Sequence, residues 1–208
     1  MSPGDRTEER LVAVVVTASM SAATPPGIDP QSFLTAVVED TYELVSGLDF
    51  VTPALVTSVP GLEEIVWPGT PVLEIPELSG APLVRAAFEA LSAAAPYAGQ
   101  VVLLSGDAPD LPPLLIGKLF RALGSAGLAV CPAVEGGAVA IAARTPWPAW
   151  AEIGFDDPEP VRTLRALAPD SQRVATGPGW HRLRVPADVH RLDPGLEGWD
   201  NTRALLSV

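Results

Sequence analysis

The sequence predicts an α/β protein, a three-layer α/β/α sandwich with a mostly parallel sheet. Strand-like and helix-like segments alternate along the chain with proline and glycine at their boundaries, as is typical of α/β layer folds. The strand-like segments are continuous apolar runs, which favours strands that are covered on both faces. With 208 residues the chain has the size of one domain. We therefore expect a single domain over 1–208, with a flexible start at 1–10 and a C-terminal tail at 193–208.

The elements follow one another in a regular order. Asp29 precedes Pro30 as an N-cap precedes a first helical proline, and Asp157 precedes Pro158 in the same way. The predicted strands lie at 11–18, 54–59, 71–76, 101–104, 128–133, 137–144 and near 181–185. The predicted helices lie at 32–45, 82–94, 112–123, 158–167 and 186–192.

Charge and composition exclude several classes of partner. The chain has 13 basic and 25 acidic residues, a formal net charge of −12, which would repel nucleic acids and anionic membrane surfaces. No apolar run approaches the ~20 residues of a membrane span, and the first ten residues lack the apolar core of a secretion signal. Cys131 is the only cysteine, which suits a reducing compartment. We expect a cytoplasmic protein that binds neither nucleic acid nor membrane.

The segment VVLLSGDAPDLP at 101–112 is the most informative one. A buried strand ends at Ser105 and Gly106, and Asp107 follows at its carboxyl end. Open α/β sheets bind their ligands at that edge. Asp107 is therefore either a carboxylate presented to a divalent metal or an ordinary turn residue. Asp110 is better interpreted as an N-cap of the next helix.

Several signatures of other enzyme classes are missing from the sequence. There is no G-x-G-x-x-G after the first strand, no Walker lysine loop, no G-x-S-x-G elbow, no H-E-x-x-H and no C-x-x-C. A Rossmann dehydrogenase, a P-loop NTPase, a serine hydrolase and a zinc enzyme are therefore unsupported. His181 and His190 have no partner pattern and are interpreted as structural. The tryptophans of the last third are interpreted as core or interface residues.

From about residue 11 to 192 the chain resembles the GT-A nucleotide-diphospho-sugar transferase superfamily. It is most similar to the bacterial DUF2064 type, relatives of the molybdopterin and phospholactate nucleotidyltransferases. Three motifs carry the resemblance: G-x-D-x-P-D-L after the central strand, G-P-A-x-D-G-G-Y about twenty residues later, and D-x-D-T-P-E-D-L near the end. The matching residues are Gly106, Asp107, Pro109, Asp110 and Leu111, then Pro132, Ala133, Gly136 and Gly137, then Pro186 and Asp188.

The resemblance implies transfer chemistry at the phosphate of a nucleoside triphosphate or nucleotide sugar. Asp107 would be the ligand of Mg²⁺ or Mn²⁺. Glu135 would hold the acceptor or act as a base. The nucleotide would be met by the loop after the first strand and by glycines of the motifs: Thr17, Ala18, Ser19 and Gly27, then Gly106, Gly136 and Gly137.

The sequence also departs from this pattern. Residues 17–30 contain no basic residue and only one glycine, where active relatives carry glycines and basic residues. Glu135 replaces an aspartate, Ala138 replaces a tyrosine, and Arg184 falls where an acid often completes the metal site. In another alignment the closing motif falls at 199–202, around Asn201.

Two hypotheses follow from these observations. In the first, the protein is a Mg²⁺-dependent glycosyltransferase or nucleotidyltransferase. In the second, the domain has lost catalysis and serves as a binding or scaffold protein, for example as a homodimer through its tryptophan-bearing last third. A decisive observation is whether arginines lie within reach of a phosphate at the strand ends, or only carboxylates do.

Overall fold

One seven-stranded sheet organises the chain in the computed structural model, which describes residues 9–207. The strands are β1 (Glu9–Val16), β2 (Thr52–Thr57), β3 (Val72–Glu74), β4 (Ala98–Ser105), β5 (Leu128–Pro132), β6 (Ala138–Arg144) and β7 (Val174–Thr176). The helices are α1 (Pro30–Ser46), α2 (Gly80–Ala94), α3 (Pro113–Ala122), α4 (Pro160–Leu167) and α5 (Asp200–Leu206). Short 3₁₀ helices span Ala18–Ala23, Leu62–Glu64, Ser171–Arg173 and Pro186–Arg191.

The strand order is β3-β2-β1-β4-β6-β5-β7, and every neighbouring pair is parallel except the two pairs that include β6. β6 runs antiparallel because a tight turn at Gly136 and Gly137 leads into it directly from β5. The carboxyl ends of β1 and β4 thus lie side by side in the middle of the sheet. The predicted mostly parallel α/β sheet is confirmed.

The core lies on both faces of this sheet. Alternate residues of β1 face opposite layers: Val12 and Val14 pack with α1 and α3, whereas Ala13 and Val15 pack with α2 and α4. All four are fully buried, as expected for a central strand covered on both sides. This arrangement makes the three predicted layers.

Of the two predicted N-cap residues, one is confirmed and the other is not. Asp29 caps α1 as predicted, since its carboxylate accepts the N–H of Ser32 at 2.8 Å. The prediction for Asp157 was wrong: α4 begins later, at Pro160, and Glu159 is at its N-cap position. The Asp157 carboxylate instead accepts the N–H of Glu159 and the hydroxyl of Thr163, so it fixes the loop that leads into the helix.

The predicted strand near 181–185 is wrong as well. This segment is extended, but it crosses the ends of the strands rather than joining the sheet. Its N–H of Leu183 donates to the carbonyl of Asp107 at 2.8 Å, and Trp180 forms an isolated parallel bridge with Ala133. The last strand is β7, which pairs with β5.

The predicted flexible start and C-terminal tail lie at the two ends of the chain. Of the predicted flexible start, residues 1–8 lie outside the described residues. The predicted tail contains α5, which packs against α1. Over residues 9–207 no helix is long and apolar enough to cross a membrane.

Candidate functional site

A cavity of about 440 Å³ opens at the carboxyl edge of the sheet, where β1 and β4 end. It is lined by residues of four segments, namely the 3₁₀ helix after β1, the end of β4, the turn and loop around β6, and the segment that crosses the strand ends. The lining residues are Ser19, Met20, Asp107, Glu135, Asp156, Arg182, Leu183, Arg184, Val185 and Asp188. Three of the predicted site residues, Asp107, Glu135 and Ser19, are therefore brought together.

Asp107 lies at the end of β4, and its side chain is bound by Arg182. Nε of Arg182 donates to Oδ1 of Asp107 at 2.8 Å, and Nη2 donates to Oδ2 at 2.8 Å. Both side chains are buried, with 3% and 4% of their surface exposed. The pair is a side-on bidentate contact, the geometry in which guanidinium and carboxylate bind most strongly.

The other side of the Arg182 guanidinium is held as firmly. Nη1 donates to Oδ1 of Asp156 at 2.9 Å and to the carbonyl of Phe155 at 3.0 Å. Burial opposes the charge of Arg182, but the carboxylates of Asp107 and Asp156 outweigh it and raise the pKa of the guanidinium. Arg182 is a fixed cation at the floor of the cavity.

Arg182 was missed by the sequence analysis, although a signal for it was present. In the closing motif D-x-D-T-P-E-D-L, Pro186 takes the place of the proline. Four residues earlier, where the motif begins with an acid, stands Arg182. Arg184 takes the place of the second acid, so the first two acids of that motif are arginines in this chain.

The guanidinium of Arg184, the second arginine of the cavity, makes fewer contacts than that of Arg182. Its Nη2 donates to the main-chain carbonyl of Glu135 at 3.1 Å, and no carboxylate pairs with its guanidinium among residues 9–207. Its own main-chain N–H donates to Asp188 at 2.8 Å, which holds the backbone at this position. A third arginine, Arg191, pairs with the carboxylates of Glu135 and Asp188.

A divalent ion needs several oxygen ligands with free lone pairs converging on one point. Both oxygens of Asp107 accept hydrogen bonds from Arg182. Within the described chain no group of three or more histidine, cysteine, aspartate or glutamate side chains is placed to hold an ion. As arranged here, these residues do not fit a divalent ion, and the assignment of Asp107 as a metal ligand stays a prediction.

The remaining predicted nucleotide contacts fall into two groups. Thr17 is buried and shares a hydrogen bond with Ser19 at 2.9 Å at the rim of the cavity, and Ala18 lies between them. Gly27 lies elsewhere, in a second cavity with Val189 and His190. The structure thus brings only the first part of the 17–27 loop to Asp107.

The three motif glycines have structural reasons to be glycine. A Cβ on Gly106 would lie 2.9 Å from Cγ2 of Val16, because β4 ends tightly against β1. Gly136 and Gly137 have φ of +86° and +95°, and a Cβ on Gly137 would lie 2.5 Å from the carbonyl oxygen of Phe155. These glycines form the turns next to Asp107 and Glu135, which line the cavity. Nucleotide contact by the glycines themselves stays a prediction.

The predicted N-cap role of Asp110 is wrong. Its carboxylate accepts Nε1 of Trp180 at 3.1 Å and the N–H of Asp193 at 2.9 Å, and Nε2 of His181 lies 2.9 Å away. α3 begins after Pro112 with no side-chain cap. Asp110 therefore ties the segment after β7 to the end of β4, and His181 has the structural role predicted for it.

Asn201, the centre of the other alignment, lies far from this chemistry. Its N–H and Nδ2 both donate to Oδ1 of Asp40 at 3.0 Å, on the contact between α1 and α5. It does not line the cavity beside Asp107. The tryptophans of the last third pack inward: Trp199 is buried, and Trp147, Trp150 and Trp180 lie against the core.

Comparison with known proteins agrees with this architecture. Residues 79–154 match the family described as "Uncharacterized protein conserved in bacteria (DUF2064)". This segment contains α2, β4, α3, β5 and β6, and thus the Asp107 turn and both motif glycines of the hairpin. The predicted resemblance is confirmed over this part of the chain. No curated protein matches the sequence.

Solved structures extend the likeness to nearly the whole chain. A putative nucleotide-diphospho-sugar transferase from Desulfovibrio desulfuricans G20 is 17% identical, with a TM-score of 0.68, and 96% of this chain covers 97% of that one. Rv0371C of Mycobacterium tuberculosis H37Rv in complex with manganese is 18% identical, with a TM-score of 0.55 and coverage of 97% and 100%. CMP:2-keto-3-deoxy-manno-octonic acid synthetase complexed with CTP is 14% identical, with a TM-score of 0.52 and coverage of 96% and 99%. At these identities the likeness establishes the GT-A-like fold.

Proposed function

We propose that this chain is a nucleotidyltransferase or glycosyltransferase that takes a nucleoside triphosphate or a nucleotide sugar in the cavity beside Asp107. The observation that carries the proposal is the pair of arginines, Arg182 and Arg184, at the carboxyl edge of the sheet. Open α/β sheets bind ligands at this edge, and guanidinium groups bind phosphate oxygens through several N–H donors. The decisive observation named from the sequence thus favours a phosphate site.

Within this proposal Arg184 is the first phosphate contact. Its guanidinium lines the cavity and has only a main-chain carbonyl as a partner among the described residues. An incoming phosphate would therefore displace no ion pair. Ser19 also lines the cavity, and its hydroxyl, which shares a hydrogen bond with that of Thr17, supplies a neutral donor.

Glu135 is the proposed base or acceptor contact. Its carboxylate is half exposed in the free protein and pairs with Arg191, which also pairs with Asp188. Because Arg191 has this second carboxylate partner, Glu135 can leave it for an acceptor hydroxyl without leaving the arginine unpaired.

The proposed function gives the divalent ion only a limited role. Since Asp107 is bound by Arg182, Mg²⁺ or Mn²⁺ is proposed only as an ion that can accompany the phosphates and that their binding does not require, and no step is assigned to it. The manganese complex and the CTP complex of the two similar folds are consistent with such ligands.

The alternative is a phosphate-binding domain without catalysis. It is favoured by the same Asp107–Arg182 pair, because an acid locked in an ion pair is not free for chemistry. Binding is common to both functions, whereas turnover distinguishes them.

Calorimetric titration with ATP, CTP, GTP, UTP, UDP-glucose and GDP-mannose tests the proposal. We expect one ligand of this panel to bind and to raise the melting temperature. Arg184→Met should weaken that binding, whereas Arg162→Met, which removes an equal charge from an exposed position on α4, should not. Absence of binding to the whole panel at millimolar concentration, with and without Mg²⁺, would contradict the proposal.

Turnover is then measured with the ligand that binds. Slow release of pyrophosphate or of a nucleoside diphosphate, lost in Glu135→Gln, is the result expected for a transferase. Binding without any release would leave the non-catalytic alternative.

A further inference from the structure

We propose that Arg182 takes the place of a divalent ion, so that this cavity binds the phosphate groups of its ligand without a metal, between Arg182 and Arg184. The inference rests on the proposed function for its ligand class and goes beyond it in assigning the source of positive charge.

The first observation is the position of the guanidinium. It caps Asp107, the one carboxylate that the end of β4 presents to the cavity, and it binds both of its oxygens. A metal on this aspartate would need the space and the lone pairs that Arg182 uses. The two cations therefore compete for Asp107.

The second observation is that Arg182 is held rigidly and still reaches the cavity. Its contacts to Asp107, Asp156 and the carbonyl of Phe155 account for Nε, both hydrogens of Nη1 and one hydrogen of Nη2. A guanidinium has five N–H groups, so one hydrogen of Nη2 is left for a ligand. The side chain is 4% exposed, and it lines the cavity.

The third observation is the second arginine, two residues further along. Arg182 and Arg184 come from one extended segment, and this segment is fixed at Leu183 by its N–H to the carbonyl of Asp107 at 2.8 Å. The side chain of Arg184 lines the same cavity as that of Arg182. A diphosphate needs two or more positive contacts in one place, and this segment provides two.

The charged side chains at the cavity are four acids and three arginines. Asp107 and Asp156 are paired with Arg182, and Glu135 and Asp188 are paired with Arg191. Arg184 is then the cation with no carboxylate partner among residues 9–207. Because four carboxylates share two arginines, these side chains carry a formal net charge of −1 when Arg184 is included. Arg184 is the one of the three arginines that an anion can contact without breaking an ion pair.

Titration of the same nucleotide panel in excess EDTA and in excess Mg²⁺ tests the inference. We expect the affinity of the ligand that binds to differ by less than about threefold between the two conditions, since the positive charge is supplied by arginine. Arg184→Met should weaken binding about tenfold or more in EDTA, and Arg162→Met should leave it unchanged.

A metal-only measurement with Mn²⁺ gives an independent readout. The wild-type protein should show no change in melting temperature with Mn²⁺, whereas Arg182→Asp, which places a second acid beside Asp107, should gain a Mn²⁺-dependent rise. If Arg182→Asp does not fold, Arg182→Lys serves instead: it keeps the charge, loses the bidentate contact and should weaken binding in EDTA.

The outcomes separate this inference from the proposed function. Binding that requires Mg²⁺ and is lost in EDTA would overturn the inference and retain the function. A Mn²⁺-dependent rise in the melting temperature of the wild-type protein would overturn it as well. Absence of binding to any ligand of the panel in both conditions would overturn both.

Discussion

Two buried aspartates of this protein, Asp107 and Asp40, have opposite surroundings. Asp107 lies at the open carboxyl edge of the sheet and is bound by the guanidinium of Arg182. Asp40 lies between α1 and α5, where it accepts the N–H groups of Asn201 and Thr202 at 3.0 and 2.7 Å and Nδ2 of Asn201 at 3.0 Å. Its hydrogen-bond partners there are neutral amides.

The difference separates a structural acid from a site acid. Asp40 caps the first turn of α5 and thereby attaches this helix to α1. It does not line the cavity beside Asp107. Asp107 holds a cation next to an open cavity of about 440 Å³. Burial alone does not mark a functional carboxylate; the charge of its partner and the space beside it do.

The largest effect should come from breaking the Asp107 pair. Arg182→Met leaves a buried carboxylate without its cation and should lower the free energy of unfolding by about 3–5 kcal/mol, as measured in urea. In the double variant with Asp107→Asn no buried charge remains, so most of the loss should be recovered. A single variant as stable as the wild type would mean that water already screens this pair.

The backbone beside the pair should be the next most sensitive feature. Gly137→Ala forces an alanine to φ of +95° and places its Cβ 2.5 Å from the carbonyl oxygen of Phe155, the same carbonyl that accepts from Arg182. We expect a loss of roughly 2–4 kcal/mol in urea unfolding. Gly27→Ala is the matched control, because its φ is +90° with no atom within 4 Å of the new Cβ, and it should cost clearly less. Equal losses would show that the strained φ, rather than the contact with Phe155, determines the cost.

Removing the Asp40 side chain should cost less stability than breaking the Asp107–Arg182 pair. Asp40→Ala deletes a helix cap and should lower the free energy of unfolding by about 1–2 kcal/mol. The decrease in the free energy of unfolding should be the same with and without bound nucleotide, since Asp40 does not line the cavity beside Asp107. A change in ligand affinity would break the separation drawn between the two aspartates.

The pH dependence of Asp40 tests its neutral surroundings. Burial raises the pKa of Asp40 above 3.8, and the hydrogen bonds from Thr202 and Asn201 only partly offset this. The unfolded chain therefore releases this proton at lower pH than the folded one, so the stability of the wild type relative to Asp40→Asn should fall as pH rises from 3.8 through the raised pKa. Urea unfolding of both proteins over this range gives the difference directly. A relative stability that rises with pH would mean that the α5 amides outweigh burial.

The two aspartates also show what the sequence could and could not predict. The apolar run at 101–104 predicts the strand that leads to Asp107, and the proline after Asp29 predicts that Asp29 is an N-cap. Both signals are local in the sequence. The pairing of Asp107 with Arg182 spans 75 positions, and that of Asp40 with Asn201 spans 161. Contacts of this kind depend on how the segment after β7 crosses the strand ends, and no local pattern specifies that path. For the same reason Asp110, which has the local appearance of a cap, is bound by distant residues instead.

The smallest effect concerns Cys131, a buried ionisable group with no charged partner among residues 9–207. Burial raises the pKa of its thiol to about 12, and Sγ donates to the carbonyl of Pro178 at 2.9 Å. The ordinary pKa of a cysteine thiol is 9.0, so the buried thiol forms about a thousandfold less thiolate at neutral pH. The folded protein should therefore react correspondingly slowly with a thiol reagent such as DTNB. The same protein in urea, where the thiol is exposed, is the control and should react at the rate of a free cysteine. Fast reaction of the folded protein would mean that β5 opens readily. Because the last residues of β5 belong to the carboxyl edge of the sheet, this edge would then be less rigid than the Arg182 contacts require.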